Sequence, residues 1–561
     1  MKKVYIMLFA LVLFAGVLQA AGFSPELQAI LERASPTEKI RVTVYMAGEA
    51  DLSTFNLEAK AEMVQYLKDF ASSRQRDLLS TLPRYGDRVS DIQPFWIANL
   101  ITMAATKDVI LEIAKRHDVS YIEHEVIIQL DDLKVAPEPD AYTVEWGIRR
   151  VRADSVWRML SITGQGVTVG NIDTGVRTTH VTFGGRWRGG TDSWIDCVNN
   201  QTTPYDDHNH GTHTMGTICG GSTVDTIGVA RGAIFVAAKA FNSSGSGSTA
   251  DILEAFQWLA TLAGNNRAPK VVGNSWGSSR TSTSFWQAIR NNQALGIIHV
   301  FSIGNSGSGG STANAPGNYP NLLGVGATDN SAIDSLASFS SRGPAPTGMP
   351  WDSAAVWLDT LWGIRTPTNH VKPDLSAPGV NVRSSLGNGN TNYGNMSGTS
   401  MASPHVTGCL ALMLQKNRYL TYRQIWYIIT ANCDRRSGVT YPNQLYGWGR
   451  LNCYKAVQAT PAVGMEEEIN AKIESPVTKM VVTPNPVSHS ARIQFSLVRK
   501  SRVSLKVYNY AGQHLATLVD ARLSAGTHNT CWDTKSLPSG VYFYRMDANA
   551  FMTTQKIVIV R

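Results

Sequence analysis

The chain has 561 residues, 43% of them apolar and 17% charged; that length exceeds one ordinary domain, and that composition excludes disorder over most of it. Its net charge of +8 is unevenly placed, since the stretch from Ile473 to Arg561 holds 11 Lys/Arg against 4 Asp/Glu. These basic residues are scattered along strand-like runs and form no dense stripe, which argues against a nucleic-acid partner.

In chain order, Lys2 and Lys3 precede an apolar run from Val4 to Leu18, closed by Ala20, Ala21 and Gly22. This is the layout of a cleaved secretory signal over 1–20, and the run is short for a membrane span. The next unit, 21–135, alternates as a strand over Ile40–Tyr45 and has helical period from Leu57 to Leu82. It then reads as a strand over Phe95–Ile101, a helix over Asp108–Arg116 and a strand over Tyr121–Leu130, a small α+β domain. A Pro/Asp-rich linker, Ala136–Ala141, follows.

From 136 to 460 short apolar runs recur: Val167–Ile172, Ile234–Ala238, Lys270–Gly273, Ile297–Ile303 and Leu322–Ala327. Helical stretches such as Asp251–Leu262 and Phe285–Leu295 separate them. Buried runs alternating with helices predict an α/β domain with a parallel sheet covered on both faces, whose active residues fall at the carboxyl ends of strands. A linker, 461–475, carries Glu466, Glu467 and Glu468. Beyond it, 476–561 holds only strand-like runs (Ala491–Leu497, Val503–Tyr508, Val541–Met546 and Gln555–Val560), a small all-β sandwich.

Six cysteines in an exported chain permit disulfides. Cys197 with Cys219, and Cys433 with Cys453, each flank a loop that a bridge would close. Cys409, inside an apolar helical run, is expected as a buried free thiol.

Three segments carry chemistry. In Gly170-Asn171-Ile172-Asp173-Thr174-Gly175, an aspartate ends a buried strand before a glycine turn. In Asp206-Asp207-His208-Asn209-His210-Gly211-Thr212-His213, two histidines stand three apart beside acidic residues. No further Cys/His cluster completes a metal set, so no metal site is expected, and His213 is expected to be structural or subsite-lining. In Gly398-Thr399-Ser400-Met401-Ala402-Ser403-Pro404-His405, a glycine turn opens an apolar helix, with Pro404 expected near its first turn, where a missing N–H costs little. Each segment alone has a plain alternative: a turn aspartate, a packed histidine, an N-cap serine. Together they are the parts of a nucleophile activated by a base that a carboxylate orients, and a helix N-terminus favours an oxyanion beside the serine.

These motifs closely resemble the subtilisin-like serine peptidases, in which the triad follows the same Asp, His, Ser order. The likeness covers roughly Trp146 to Ala459, and the Tyr205-Asp206-Asp207 lead-in and the HGTHTMGT form are most similar to the bacillopeptidase F type. The resemblance implies Asp173 as orienter, His210 as base and acid, Ser400 as nucleophile, and Asn305, in Ser302-Ile303-Gly304-Asn305, as an oxyanion donor beside the Ser400 amide. It implies a substrate cleft between Ser275-Trp276-Gly277 and Ser244-Gly245-Ser246-Gly247, with Trp276 in place of the usual aliphatic residue. An insertion between Gly343 and Lys372 carries Trp351, Trp357 and Trp362 and is expected to pack as a surface loop.

By the same resemblance the first unit is an inhibitory propeptide, with Phe95-Trp96-Ile97-Ala98-Asn99 on one strand and cleavage between about Leu130 and Tyr142. The last unit resembles a type IX secretion sorting domain, through Pro484-Asn485-Pro486 and Leu537-Pro538-Ser539-Gly540-Val541-Tyr542. The partners implied are protein or peptide substrates, the chain's own propeptide and a secretion machinery, at the cell surface or outside it. No cofactor is needed for the chemistry; family members often hold structural calcium, for which no ligands stand out. The rival reading is a non-catalytic surface-binding protein on the same scaffold. An esterase is disfavoured because the nucleophile lacks a GxSxG elbow.

Overall fold

The computed structural model describes residues 21–52, 55, 58–130, 144–222, 226–352, 370–463, 477–497, 501–509, 513–524, 526–548 and 551–561. The expected signal segment, the 136–141 linker, Trp357, Trp362 and the 466–468 acidic triplet lie outside them.

In chain order the first elements are β1 (Gly22–Phe23), α1 (Pro25–Arg33), β2 (Lys39–Met46), α2 (Lys60–Thr81), β3 (Val89–Phe95), β4 (Leu100–Thr106), α3 (Lys107–Ile113), β5 (Val119–His124) and β6 (Ile127–Gln129). Next come α4 (Trp146–Arg150), α5 (Ala153–Leu160), β7 (Thr168–Asp173), β8 (Trp194–Asp196), α6 (His210–Cys219), β9 (Ile234–Lys239), β10 (Ser246–Ser248), α7 (Thr249–Gly264), β11 (Val271–Asn274), α8 (Trp286–Ala294), β12 (Ile298–Ser302) and β13 (Leu323–Thr328). They continue with β14 (Leu375–Pro378), β15 (Val382–Ser385), β16 (Tyr393–Met396), α9 (Thr399–Lys416), α10 (Tyr422–Ala431) and α11 (Cys453–Ala459). The chain closes with β17 (Val477–Thr483), β18 (Ser490–Leu497), β19 (Ser501–Asn509), β20 (His514–Leu523), β21 (Gly526–Asp533), β22 (Gly540–Ala548) and β23 (Phe551–Ile559).

The chain divides into two compact units. One holds the described residues up to Ile127 together with Ser248–Arg267 and Gln287–Leu295; the other holds the rest. In the first, a five-stranded sheet of order β1-β5-β2-β4-β3 packs its apolar face on α1 and α3. Two helices from the middle of the chain belong to this unit. The Trp96 amide donates to Gln257 Oε1 on α7 at 2.9 Å, and Asn291 Nδ2 on α8 donates to Ile97 O at 2.7 Å. Residues 96–99, expected within a strand, form instead the apex of the β3–β4 hairpin, with Asn99 at φ 49°. An apolar run looks the same on either side of a turn, and a left-handed asparagine is what lets this one reverse.

In the second unit seven strands, all parallel, run in the order β14-β13-β12-β11-β7-β9-β8. From β11 to β14 every strand residue is buried, which is why β11, β12 and β13 read as short runs with no polar alternation. Helix α9, buried from Thr399 to Leu414, packs against β7 and β11–β14 and against α6. The C-terminal strands form two antiparallel sheets, β17-β18-β21 and β20-β19-β22-β23. Phe495, Trp532 and Tyr544 share their common core, giving the expected sandwich.

All six cysteines are free thiols, five buried and Cys531 exposed. Neither the 197–219 nor the 433–453 bridge is present. Cys409 is the buried thiol expected of it. Of the insertion, Trp351 packs: it is buried against Tyr319, and its indole N–H donates to Asn318 Oδ1 at 3.2 Å.

Candidate active site

Asp173 is the last residue of β7, delivered to the carboxyl edge of the sheet where open α/β folds place their sites. The chain leaves through Gly175, at φ +109°, where a Cβ would fall 2.0 Å from Tyr205 O; only glycine fits. Asp173 Oδ1 accepts from the Thr174 amide at 2.8 Å and lies 2.7 Å from His210 Nδ1. Both side chains are about 2% exposed or less, so the pair is screened from water.

His210 opens α6, and a second carboxylate anchors that helix end. Asp206 accepts from the amides of His208, Asn209 and Thr212 (3.0, 3.0 and 2.9 Å) and from the hydroxyls of Thr212 and Thr174 (2.6 and 2.9 Å). An acceptor at a helix N-terminus satisfies amides that no helical carbonyl reaches. His213, one turn on, is structural: its Nε2 donates to the carbonyls of Val382 (3.0 Å) and Gly394 (3.1 Å). Burial, and next the charge of His210, lower its pKa to about 3.

Ser400 is the second residue of α9; Gly398, not Ser400, is the N-cap. Pro404 lies beyond the first turn, inside the helix. Its missing N–H leaves Ser400 O without a helical donor, and Ser275 Oγ supplies one at 3.0 Å. In return Ser400 Oγ donates to Ser275 O, also at 3.0 Å. Asn305 Oδ1 accepts from the Thr399 amide (2.8 Å) and hydroxyl (2.9 Å), which fixes its amide flip. The Cβ that Gly398 lacks would lie 3.4 Å from Asn305 Nδ2 and 3.6 Å from the Ser400 amide nitrogen. Two N–H donors thus flank one small space kept open by a glycine.

Gly245 and Ser246 lie beside residues 129 and 130. The Leu130 amide donates to Gly245 O at 2.9 Å, Gln129 Nε2 donates to Ser244 O at 2.7 Å, and Ser246 Oγ bonds Gln129 Oε1. Gly247 is needed for internal packing, since a Cβ there would meet Ala240 O at 2.4 Å. A Cβ on Gly277 would meet Asn314 Cβ at 3.3 Å, and one on Gly304 would meet Asn314 Nδ2 at 2.8 Å. Asn314 was not singled out from sequence, nor was His208, whose ring packs edge-on to His210 with centroids 6.3 Å apart. Burial, then the neighbouring His210, lowers the His208 pKa.

Trp276 requires a correction. Its side chain is 2% exposed, packs against Phe241, Phe285 and Phe301, and donates its indole N–H to Ile172 O at 3.1 Å. It is a core residue.

Among the described residues no group of three or more His, Cys, Asp or Glu side chains is placed to hold a metal ion. Two carboxylates, Asp196 and Asp329, accept from protein donors. Asp196 takes the amides of Val198, Asn199 and Gln201 and the Tyr205 hydroxyl, and Asp329 takes Ser331 and the Ser335 amide.

The fold and this site define an α/β hydrolytic scaffold, and comparison with known proteins identifies it. Residues 164–449 match the subtilase family and residues 481–560 match a secretion system C-terminal sorting domain. Bacillopeptidase F of Bacillus subtilis is 33% identical over 474 residues, covering 77% of this chain and 31% of the relative. Subtilisin Savinase of Lederbergia lenta is 35% identical over 319 residues, 57% of this chain and 100% of the relative. An alkaline protease of Alkalihalobacillus alcalophilus is 34% identical over 341 residues, 61% and 74%. The chain belongs to the subtilase family of serine-type peptidases. It spans about a third of the length of Bacillopeptidase F.

Proposed function

We propose that this chain is an exported endopeptidase that cleaves protein substrates through an acyl-enzyme on Ser400. The observation that carries the reading is the buried 2.7 Å pairing of Asp173 with His210 at the head of α6. Asp173 keeps the His210 proton on Nδ1, so that Nε2 is the basic nitrogen. The Ser400 hydroxyl rests on Ser275 O, and redirecting its proton to His210 Nε2 arms it for attack on the scissile carbonyl. Negative charge developing on that oxygen is met by Asn305 Nδ2 and the Ser400 amide, preset by Thr399 and Gly398. His210 then returns the proton to the leaving amine, and water repeats the sequence on the ester.

Residues 21–135 act as the propeptide. The pairing of Gln129 and Leu130 with Ser244–Ser246 supports this, because an extended strand added to a cleft edge is how a peptide substrate binds. The contacts of Trp96 and Ile97 with α7 and α8 support it further. The C-terminal domain serves export. The test is a fluorophosphonate probe on the processed protein: wild type takes the label and hydrolyses casein in preference to a short-chain ester, and Ser400→Ala does neither. Wild type without label or proteolysis would refute the reading.

A further inference from the structure

Asn171 and Asp173 stand two apart on β7 and project from the same face of the strand, toward α6. Asp173 Oδ1 is occupied by the Thr174 amide and His210 Nδ1. Oδ2 has a different partner, the Thr214 hydroxyl at 3.1 Å, one turn along α6 from His210. That hydroxyl is also 3.1 Å from Gly211 O, and it has one proton for two acceptors. Asn171 decides between them. Its Nδ2 donates to Gly211 O at 3.1 Å and to Thr214 Oγ1 at 3.2 Å. Gly211 O is thereby supplied, a lone pair of Thr214 is filled, and the remaining proton is directed to the charged acceptor.

The arrangement costs stability. Asn171 is 2% exposed, and its Oδ1 has no hydrogen-bond partner among the described residues. An orphaned buried carbonyl is unfavourable, so an apolar side chain would suit the strand better. The asparagine is accounted for by its N–H groups.

We propose that Thr214, with its hydroxyl aimed by Asn171, is a positioning residue for the Asp173–His210 pair. The inference rests on the triad reading above. A carboxylate held at both oxygens cannot rotate about its terminal bond, so its lone pair stays aligned with the imidazole Nδ1–H while His210 gains and loses its proton.

The test uses the full chain, processed in the same way for every variant, with Ser400→Ala as background. Active sites are titrated with fluorophosphonate, and kcat and KM are measured on one peptide substrate. Thr214→Val is expected to lower kcat by about 10- to 100-fold, the worth of a hydrogen bond to a charged group, with KM within about twofold. Thr214→Ser, which keeps the hydroxyl, should restore most of kcat. Asn171→Leu should lower kcat by about 2- to 10-fold, as for a neutral hydrogen bond. A Thr214→Val enzyme with kcat within about twofold of the parent overturns the inference, as does a loss confined to KM or a Thr214→Ser enzyme as impaired as the valine variant. If Thr214→Val does not fold, Asn171→Leu decides, and an unchanged kcat there overturns it. A parent that takes no label removes the triad reading and this inference with it, whereas an active parent with an unaffected Thr214→Val removes this inference alone.

Discussion

In the proposed mechanism the donor beside the Ser400 amide is Asn305 Nδ2. Its direction is set at the other end of the same amide, where Thr399 donates twice to Oδ1. Asn305→Leu keeps the volume and removes the donor, and is expected to lower kcat by about 100- to 1000-fold with little change in KM; steady-state kinetics on a peptide substrate checks it. Asp173, His210, Ser400 and Asn305 could be proposed from the sequence because each sits in a short motif whose chemistry is specific. Asp206, Thr214 and Asn171 stood inside quoted motifs, yet their roles were not legible. A hydrogen bond such as Asn171 to Thr214 joins positions 43 apart, and only the fold brings them to one place. Trp276 failed for a related reason: a residue type says nothing of which side of the strand end it leaves from, and an indole buried among Phe241, Phe285 and Phe301 looks in sequence like one exposed in a cleft.

Among the elements, strands β7, β9, β11, β12 and β13 and helices α2, α7, α8 and α9 were read to within a few residues, whereas helices α1, α5 and α10 and several short or exposed strands were not. β8, β14, β15 and β16 have three or four residues each, too few to show a period. β20 has no buried residue, so no alternation marks it. Helix α9 illustrates how an element can depend on a distant side chain. Pro404 removes one of its internal bonds, and Ser275 Oγ takes over the carbonyl so freed while also bonding Ser403 Oγ at 2.9 Å. Ser275→Ala leaves that buried carbonyl without its donor. It should destabilise the chain by about 1–3 kcal/mol, read as a lower urea midpoint at unchanged slope in a Ser400→Ala background that prevents self-digestion. An unchanged midpoint would mean that water or a neighbouring amide takes the place of Ser275.

On the scale of the whole molecule, five thiols are buried and Cys531 alone of the six is exposed to its redox surroundings while the chain is folded. Burial pushes the Cys219 thiol up to about 12, and it raises Cys433 and Cys453 as well, so none of these forms the reactive thiolate near neutral pH. A thiol reagent should label Cys531 promptly and the other five only after unfolding; quick labelling of more than one cysteine in the native protein contradicts the free-thiol core. Acid is the stronger lever. His213 and His299, each lowered to about 3, and His405, lowered to about 4, are fully buried, and desolvation is the main cause in all three. Unfolded, a histidine binds its proton near pH 6.5. Between that value and about pH 4 the unfolded chain therefore takes up a proton at each of these three sites that the folded one refuses, with His208, also lowered, adding in the same direction, and stability is lost as pH falls through this window. The loss approaches about 1.4 kcal/mol per pH unit for each histidine. Urea unfolding of the processed Ser400→Ala protein should give a markedly lower midpoint at pH 4.5 than at pH 7. His405→Gln should flatten that dependence, because one of these protons is no longer taken up. A midpoint that stays level or rises toward acid would show that these imidazoles are not buried in their neutral form.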